Sequence, residues 1–489
     1  MKKFLLISFL IPFLSFGQVQ IGQDIDAETA DNEFGFSVSL SSDGNIVAIG
    51  ATYNSGSASA SGHVRVFENI SGVWTQIGQD IDGEAENDLS GWSVKLSADG
   101  NIVAIGSSLN DGNGDSSGHV RVYENLSGVW TQIGQDIDGE AEGDQSGWSL
   151  SLSSDGSILA VGATRNDGNG ERSGHVRVYE NLSGVWTQIG QDIDGEAAFD
   201  WLGYSVSLSS NGSVLATGAI FNSGNGDSSG HVRVYENLSG VWTQIGQDID
   251  GEAEGDFFGR SLSLSSNGNI VAIGGPQNDG NGDNSGHVRV YENVSGVWTQ
   301  IGQDIDGEGE IDLSGYSVSL SSDGNIVAIA APFNNGNGMD SGHVRIYENQ
   351  SGVWTQIGQD IDGEAAGDLS GSAVSLSSDG SIVAIGANVN QGSGLFAGHV
   401  RVFNLSNVLT TADRANLEFD VYPNPTKDQF TIQLDNPSDL QSINIYNPLG
   451  QLVLSAKEVT VDISKFTSGL YTVEVLTTNG KDSKKLIIQ

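Results

Sequence analysis

One unit repeats through most of this 489-residue chain without insertion. Trp74, Trp130, Trp186, Trp242, Trp298 and Trp354 are each 56 residues apart, and His63, His119, His175, His231, His287, His343 and His399 keep the same step. A fixed period indicates a solenoid or a propeller, because a single unit cannot bury its own apolar face and must stack on neighbours. The pattern inside the unit decides between them. In the second copy, residues 93–97 (SVKLS) alternate, 101–106 (NIVAIG) are nearly continuous apolar, 119–124 (HVRVYE) alternate, and 129–137 (VWTQIGQDI) complete the set. Alternation is the signature of a strand, and no stretch carries helical periodicity. Asp99-Gly100 joins the first two runs as a two-residue hairpin turn that needs positive φ. Four antiparallel strands repeated seven times predict an all-β, seven-bladed β-propeller spanning residues 18–405.

The two ends of the repeat array predict closure. Residues 19–25 (VQIGQDI) match the fourth run of a unit but have no first three before them, and the seventh unit stops after its third run at 399–405. The N-terminal strand is therefore expected to complete the last blade, leaving no free sheet edge. Phe34-Gly35, residues 37–51 (SVSLSSDGNIVAIGA) and 62–67 (GHVRVF) resemble the FG-GAP repeat, which implies a propeller like the integrin α-subunit head. In that family the loop between the first two strands often binds calcium through a run of Asp and Asn. Here the loop is only SSDGN, and Asp43, Asp99 and Asp155 give way to Asn211 and Asn267, so the loop reads as a turn and the family's site does not carry over.

Composition narrows the partners. Lys and Arg total 20 against 62 Asp and Glu, a net charge of −42. Such a surface repels nucleic acid and anionic membranes. The absence of cysteine excludes disulfides, thiolate metal sites and cysteine nucleophiles. Residues 1–17 read as a signal peptide, with Lys2 and Lys3 before an apolar run and Ser15 and Gly17 before the cut. No later segment is long enough to span a bilayer as a helix.

Beyond a linker at 406–418, residues 419–489 form a different kind of sequence. Alternating runs at 429–434, 442–446, 452–455, 470–476 and 484–488 predict a small β-sandwich. Tyr422-Pro-Asn-Pro425, Ile445-Tyr-Asn-Pro-Leu-Gly450, Gly469-Leu-Tyr471 and the closing Lys484-Lys-Leu-Ile-Ile488 resemble the type A sorting domain of the type IX secretion system. That resemblance implies the secretion machinery as a partner. It also implies a destination outside a Gram-negative Bacteroidota-type cell, free or on its surface. An adhesive sandwich is the blander reading of the same strands.

Propeller geometry sorts the loops into two faces. The turns between first and second strands, and between third and fourth, are nearly identical from blade to blade. The opposite face varies and holds most of the acids, so a ligand is expected there. Its loops between second and third strands place oxygen donors at alternate positions: Asp111, Asn113 and Asp115; Asp167, Asn169 and Glu171; Asp279, Asn281 and Asp283. Calcium takes six to eight such oxygens, so these nine residues are candidate calcium ligands, with solvated Asx-Gly turns as the alternative. The residue entering the innermost strand runs Phe36, Trp92, Trp148, Tyr204, Arg260, Tyr316, Ser372, and Trp201, Phe257 and Phe258 are peculiar to their blades. Trp92, Trp148, Tyr204 and Tyr316 are candidate ligand-stacking residues at the channel mouth; packing between blades would also use them.

Two motifs are set aside. Each His opens a third strand, about 10 Å outside the innermost one, too far from its neighbours in the ring to share a metal. With the Arg two residues on, it is expected to meet repeated acids. Gly114-Asp-Ser-Ser-Gly118 and Gly226-Asp-Ser-Ser-Gly230 fit the esterase pattern but lie in hairpin loops, without the strand-to-helix turn that the chemistry needs. The sequence thus predicts an exported, non-enzymatic propeller binding an extracellular glycan or protein. The alternatives are a carbohydrate-active hydrolase or lyase using carboxylates near the mouth, and a ligand-free surface spacer.

Overall fold

The computed structural model describes residues 17–409, 419–434, 440–446, 452–477 and 480–488. Residues 1–16 of the signal-peptide assignment and 410–418 of the linker therefore lie outside the described residues. The chain divides into two compact units, Met1–Val408 and Leu409–Gln489.

The first unit is a seven-bladed propeller. Its second blade is typical: inner strand a (Ser93–Leu96), strand b (Ile102–Ser107), strand c (His119–Asn125) and outer strand d, all antiparallel. Strand d differs from the sequence expectation. The run 129–137 is split into Trp130–Gln132 and Ile137–Asp138, both paired with strand c. Gly134 causes the break: its φ is +81, and a Cβ there would come within 2.7 Å of Trp186 in the next blade. The glycine makes room for the neighbour's indole, and Gln132 Nε2 spans the kink to Asp136 Oδ1 at 2.6 Å.

Contacts between blades repeat with the same regularity. Trp186 is buried, its Nε1–H donates to Ile133 O at 3.0 Å, and Gln135 of the preceding blade bonds both its backbone N and O. The apolar core is a set of wedges between adjacent sheets: Ala48, Val64 and Val66 of one blade pack on Val94, Leu96 and Ile105 of the next. At the inner end, Ser42 N donates to Ala98 O, Ala98 N to Ser154 O, and so on to Ser378 N, which donates back to Ser42 O. The seven bonds measure 2.8–2.9 Å and close a complete ring.

The seam is built as predicted. Val19–Gln20 and Ile25–Asp26 pair with His399–Asn404 to finish the seventh blade, and Ile25 and Phe34 pack on Val400 and Val402. Gln18 stands where six blades have Trp and bonds both backbone groups of Gln359.

In the second unit, Asp420–Tyr422, Gln429–Gln433 and Thr460–Asp462 form one sheet. Leu452–Ala456, Leu440–Tyr446, Gly469–Thr477 and Gly480–Ile488 form the other, and the two share a core that includes Phe419, Phe430, Ile443 and Val473. Asn424 of the Tyr-Pro-Asn-Pro turn bonds Lys485 O and Ile487 N, tying the turn to the last strand. Residues 447–450 of the second motif lie outside the described residues.

Burying each Trp wedge is a large share of blade adhesion. Trp186→Ala is expected to cost about 3–5 kcal/mol, whereas Trp186→Phe loses mainly the Nε1–H bond, about 1 kcal/mol. Urea unfolding of the two variants checks the ranking.

Candidate functional site

The mouth of the central channel is set by a glycine in each blade. Gly91 has φ +88, and a Cβ on it would come within 2.7 Å of His63 O. The residue after it is delivered to the channel rim. There Phe36 meets Trp92 (ring centroids 4.8 Å), Trp92 meets Trp148 (4.8 Å) and Trp148 meets Tyr204 (5.5 Å), all tilted by 45–52°. Arg260 continues the series: its guanidinium lies 3.4 Å from the Tyr316 ring centre, and Nη1 donates to Tyr316 O at 3.0 Å. At the seventh blade Ser372 leaves a gap. The belt surrounds a cavity of about 370 Å³ whose walls also include Phe333, Leu369 and Asn388. Among the described residues no Asp or Glu lines it. The two readings of these aromatics are thus both present in the geometry: the rings pack between blades and line the mouth.

A second aromatic group lies further out. Trp201, Phe221 and Phe257 make edge-on contacts at 4.8 and 5.3 Å, Arg165 sits 5.2 Å over Trp201, and a cleft of about 700 Å³ opens beside them against Arg172. Phe258, by contrast, is fully buried in the wedge between blades. Sequence reading missed Phe221, Arg165 and Arg172. The signal was available: at these positions the repeat is broken.

The histidines sit in a structural network. All seven are buried, and His63, His231, His287 and His343 turn Nδ1 toward an Asp of their own blade at 3.7–3.9 Å. Each Arg two residues on reaches a Glu in the loop entering its blade, as Arg121 does to Glu84 at 3.1 Å and Arg177 to Glu140 at 3.3 Å. Arg121 Nη2 also donates to Asp82 O of the preceding blade at 2.8 Å. Glu84, His119 and Asp136 converge closely enough to suggest a metal, but the Arg121 guanidinium already supplies the cation to Glu84.

Burial lowers the pKa of His63, His119, His175, His231 and His343 from 6.5 to about 4. The unfolded chain then binds more protons between those values, so these rings' contribution to stability is lost as pH falls from 6.5 toward 4. In carbon-13 NMR none of the five imidazoles should titrate between pH 8 and 5.5; a midpoint near 6.5 for any of them would contradict this burial.

In the acidic loops, Asp111, Asp167 and Asp279 accept the backbone N–H groups of Ser116, Arg172 and Asn284 at 2.7–2.8 Å. Asn113, Asn169 and Asn281 each donate Nδ2 to two carbonyls of the following loop, for example Gly139 O and Glu140 O. Asp115 and Asp283 bond their neighbours Ser116 and Asn284, and Glu171 O accepts the Phe199 N–H. One carboxylate oxygen of each Asp and the amide nitrogen of each Asn therefore already serve the loop. A thermal melt is expected to show no calcium-specific rise over magnesium; a rise of several degrees would make these loops ion sites.

Comparison with known proteins identifies the class. Residues 420–489 match the secretion system C-terminal sorting domain, and residues 137–179 match the FG-GAP repeat. The chain carries FG-GAP repeats in an all-β propeller, and its tail marks it for export through the type IX system of Bacteroidota. A curated relative, ulvan lyase NLR42 from Nonlabens ulvanivorans, is 36% identical over 85 residues, which are 16% of this chain and 16% of that protein. The chain thus spans about a sixth of that relative's length. Among solved structures, a candidate 6-phosphogluconolactonase from Bacteroides uniformis ATCC 8492 shares 13% identity over 67% of this chain and 85% of its own, with a TM-score of 0.47. U3-55K shares 12% over 79% and 98%, with a TM-score of 0.44.

Proposed function

We propose that this protein is an exported binding module that grips an extracellular glycan at the aromatic mouth of its channel. The observation that carries the reading is the belt from Phe36 to Tyr316. The rim position varies from blade to blade and, in five of the seven, supplies a large ring around a cavity of about 370 Å³. That volume falls within the range of small-molecule sites, and aromatic faces supply area at low entropic cost. The rim's departures from the repeat favour binding over a spacer role. The hydrolase alternative needs paired carboxylates, and the mouth's described lining has none. The match to an ulvan lyase is too short to bring that activity here.

Each stacking ring is worth about 0.5–1.5 kcal/mol beyond the area it buries. Removing two, as Trp92→Ala with Trp148→Ala, is therefore expected to weaken binding to surface or matrix polysaccharides at least tenfold in affinity electrophoresis. Unchanged retardation would move the site away from the mouth.

A further inference from the structure

The propeller has few cations. Seven of its arginines repeat with the blades and pair with Glu, and four further basic residues break the repeat: Lys95, Arg165, Arg172 and Arg260. Two of these four face the channel, Arg260 at the mouth and Lys95, the propeller's only lysine, further in. In the other six blades the position of Lys95 is Ser39, Ser151, Ser207, Ser263, Ser319 and Ser375, and each hydroxyl accepts a backbone N–H from the next blade's inner strand at 2.9–3.0 Å. Lys95 gives up that bond and leaves the Leu152 N–H without its serine. In exchange it puts an amine among serines in a cavity of about 140 Å³, with no Asp or Glu among the described lining residues. The channel wall desolvates the amine and lowers its pKa from the usual lysine value. In a chain with net charge −42, the ionisable side chains of Asp, Glu, Lys and Arg type among the described lining residues of the lumen are thus Arg260 and Lys95, both basic.

We propose that the channel is an anion-binding well, with Arg260 and Lys95 as its charged groups, and that the ligand at the mouth is an acidic saccharide. This rests on the mouth being the binding site and adds the ligand's charge. Lys95 lies three residues further along the inner strand than Trp92, about 10 Å deeper, and on a blade nearly opposite that of Arg260. An oligosaccharide with one ring stacked at the rim can meet Arg260 while an acidic group on a deeper ring reaches toward Lys95.

The test uses tryptophan fluorescence of the full chain, titrated with trigalacturonate, a sulfated galactan trisaccharide and neutral galactotriose. At least one acidic probe should bind tenfold or more tighter than galactotriose, and which one does so distinguishes carboxylate from sulfate. Lys95→Ser, which restores the serine of the other blades, should remove most of that preference while leaving galactotriose binding unchanged, and Arg260→Tyr should also remove most of that preference. Equal binding of acidic and neutral probes, or full retention of the preference in both variants, would overturn the anion well but leave the mouth standing. No quenching by any probe would overturn both. A second readout needs no sugar: inorganic sulfate, against chloride at equal ionic strength, should slow acylation of Lys95 but not of Lys427 or Lys465 in the tail. Equal rates would also overturn the well.

Discussion

Seven backbone hydrogen bonds, one at each turn between strands a and b, hold the inner ends of the blades in a closed circle. Each amide donates to the next blade's turn, and the last, Ser378 N, donates back to Ser42 O. A ring of this kind fixes the spacing of every inner strand at once. An inserted residue in one turn would open it, and a blade of different twist could not reach both neighbours. The uniformity of the turns, of the Gly134-type kinks and of the Trp wedges follows from that closure. Identical joints are what let seven equal units meet without a gap.

The same constraint makes departures from the repeat informative. Positions that serve the joints are held alike, so a departure at one of them, such as Lys95 in place of an interblade serine, stands out, while positions facing the mouth and the outer loops are free to vary. Trp92, Arg260 and Lys95 are such departures, and they share one channel. The acidity has a different place. Glu84, Glu140 and their counterparts clamp the buried arginines of the following blades, so part of the large negative charge is interface chemistry. The partly exposed Glu members of those pairs keep each bridge modest on its own. The sorting tail places all this outside the cell, where a chain without cysteine has no disulfide to add to packing and closure.

Much of the fold was legible because alternation and a fixed period are strong signals. The seven units, a hairpin between strands a and b and the N-terminal closing strand all follow from them, although the turn is longer than the two residues expected: Ser97 N bonds Ile102 O, Gly100 N bonds Ser97 O, and Gly100 alone of the pair has positive φ. The split in strand d was not legible. The run VWTQIGQDI keeps its pattern across the break, and the reason for Gly134 lies in the next blade's Trp186. The acidic loops illustrate a second limit: that the Asp111 carboxylate caps the Ser116 N–H and the Asn113 amide ties Gly139 and Glu140 could not be read from composition, because only the folded pair of loops brings that backbone near. Lys95 was visible as the only lysine of the propeller, but that no Asp or Glu is among the described residues lining its cavity depends on how the channel closes.

Hydrogen exchange of the full chain, with and without trigalacturonate, tests the central claim most directly. The account predicts protection confined to the rim and first residues of the inner strands, in peptides covering 91–96, 147–150, 203–206 and 259–263. Protection confined instead to the loops around Asp111, Asp167 and Asp279, with the rim unchanged, would contradict it.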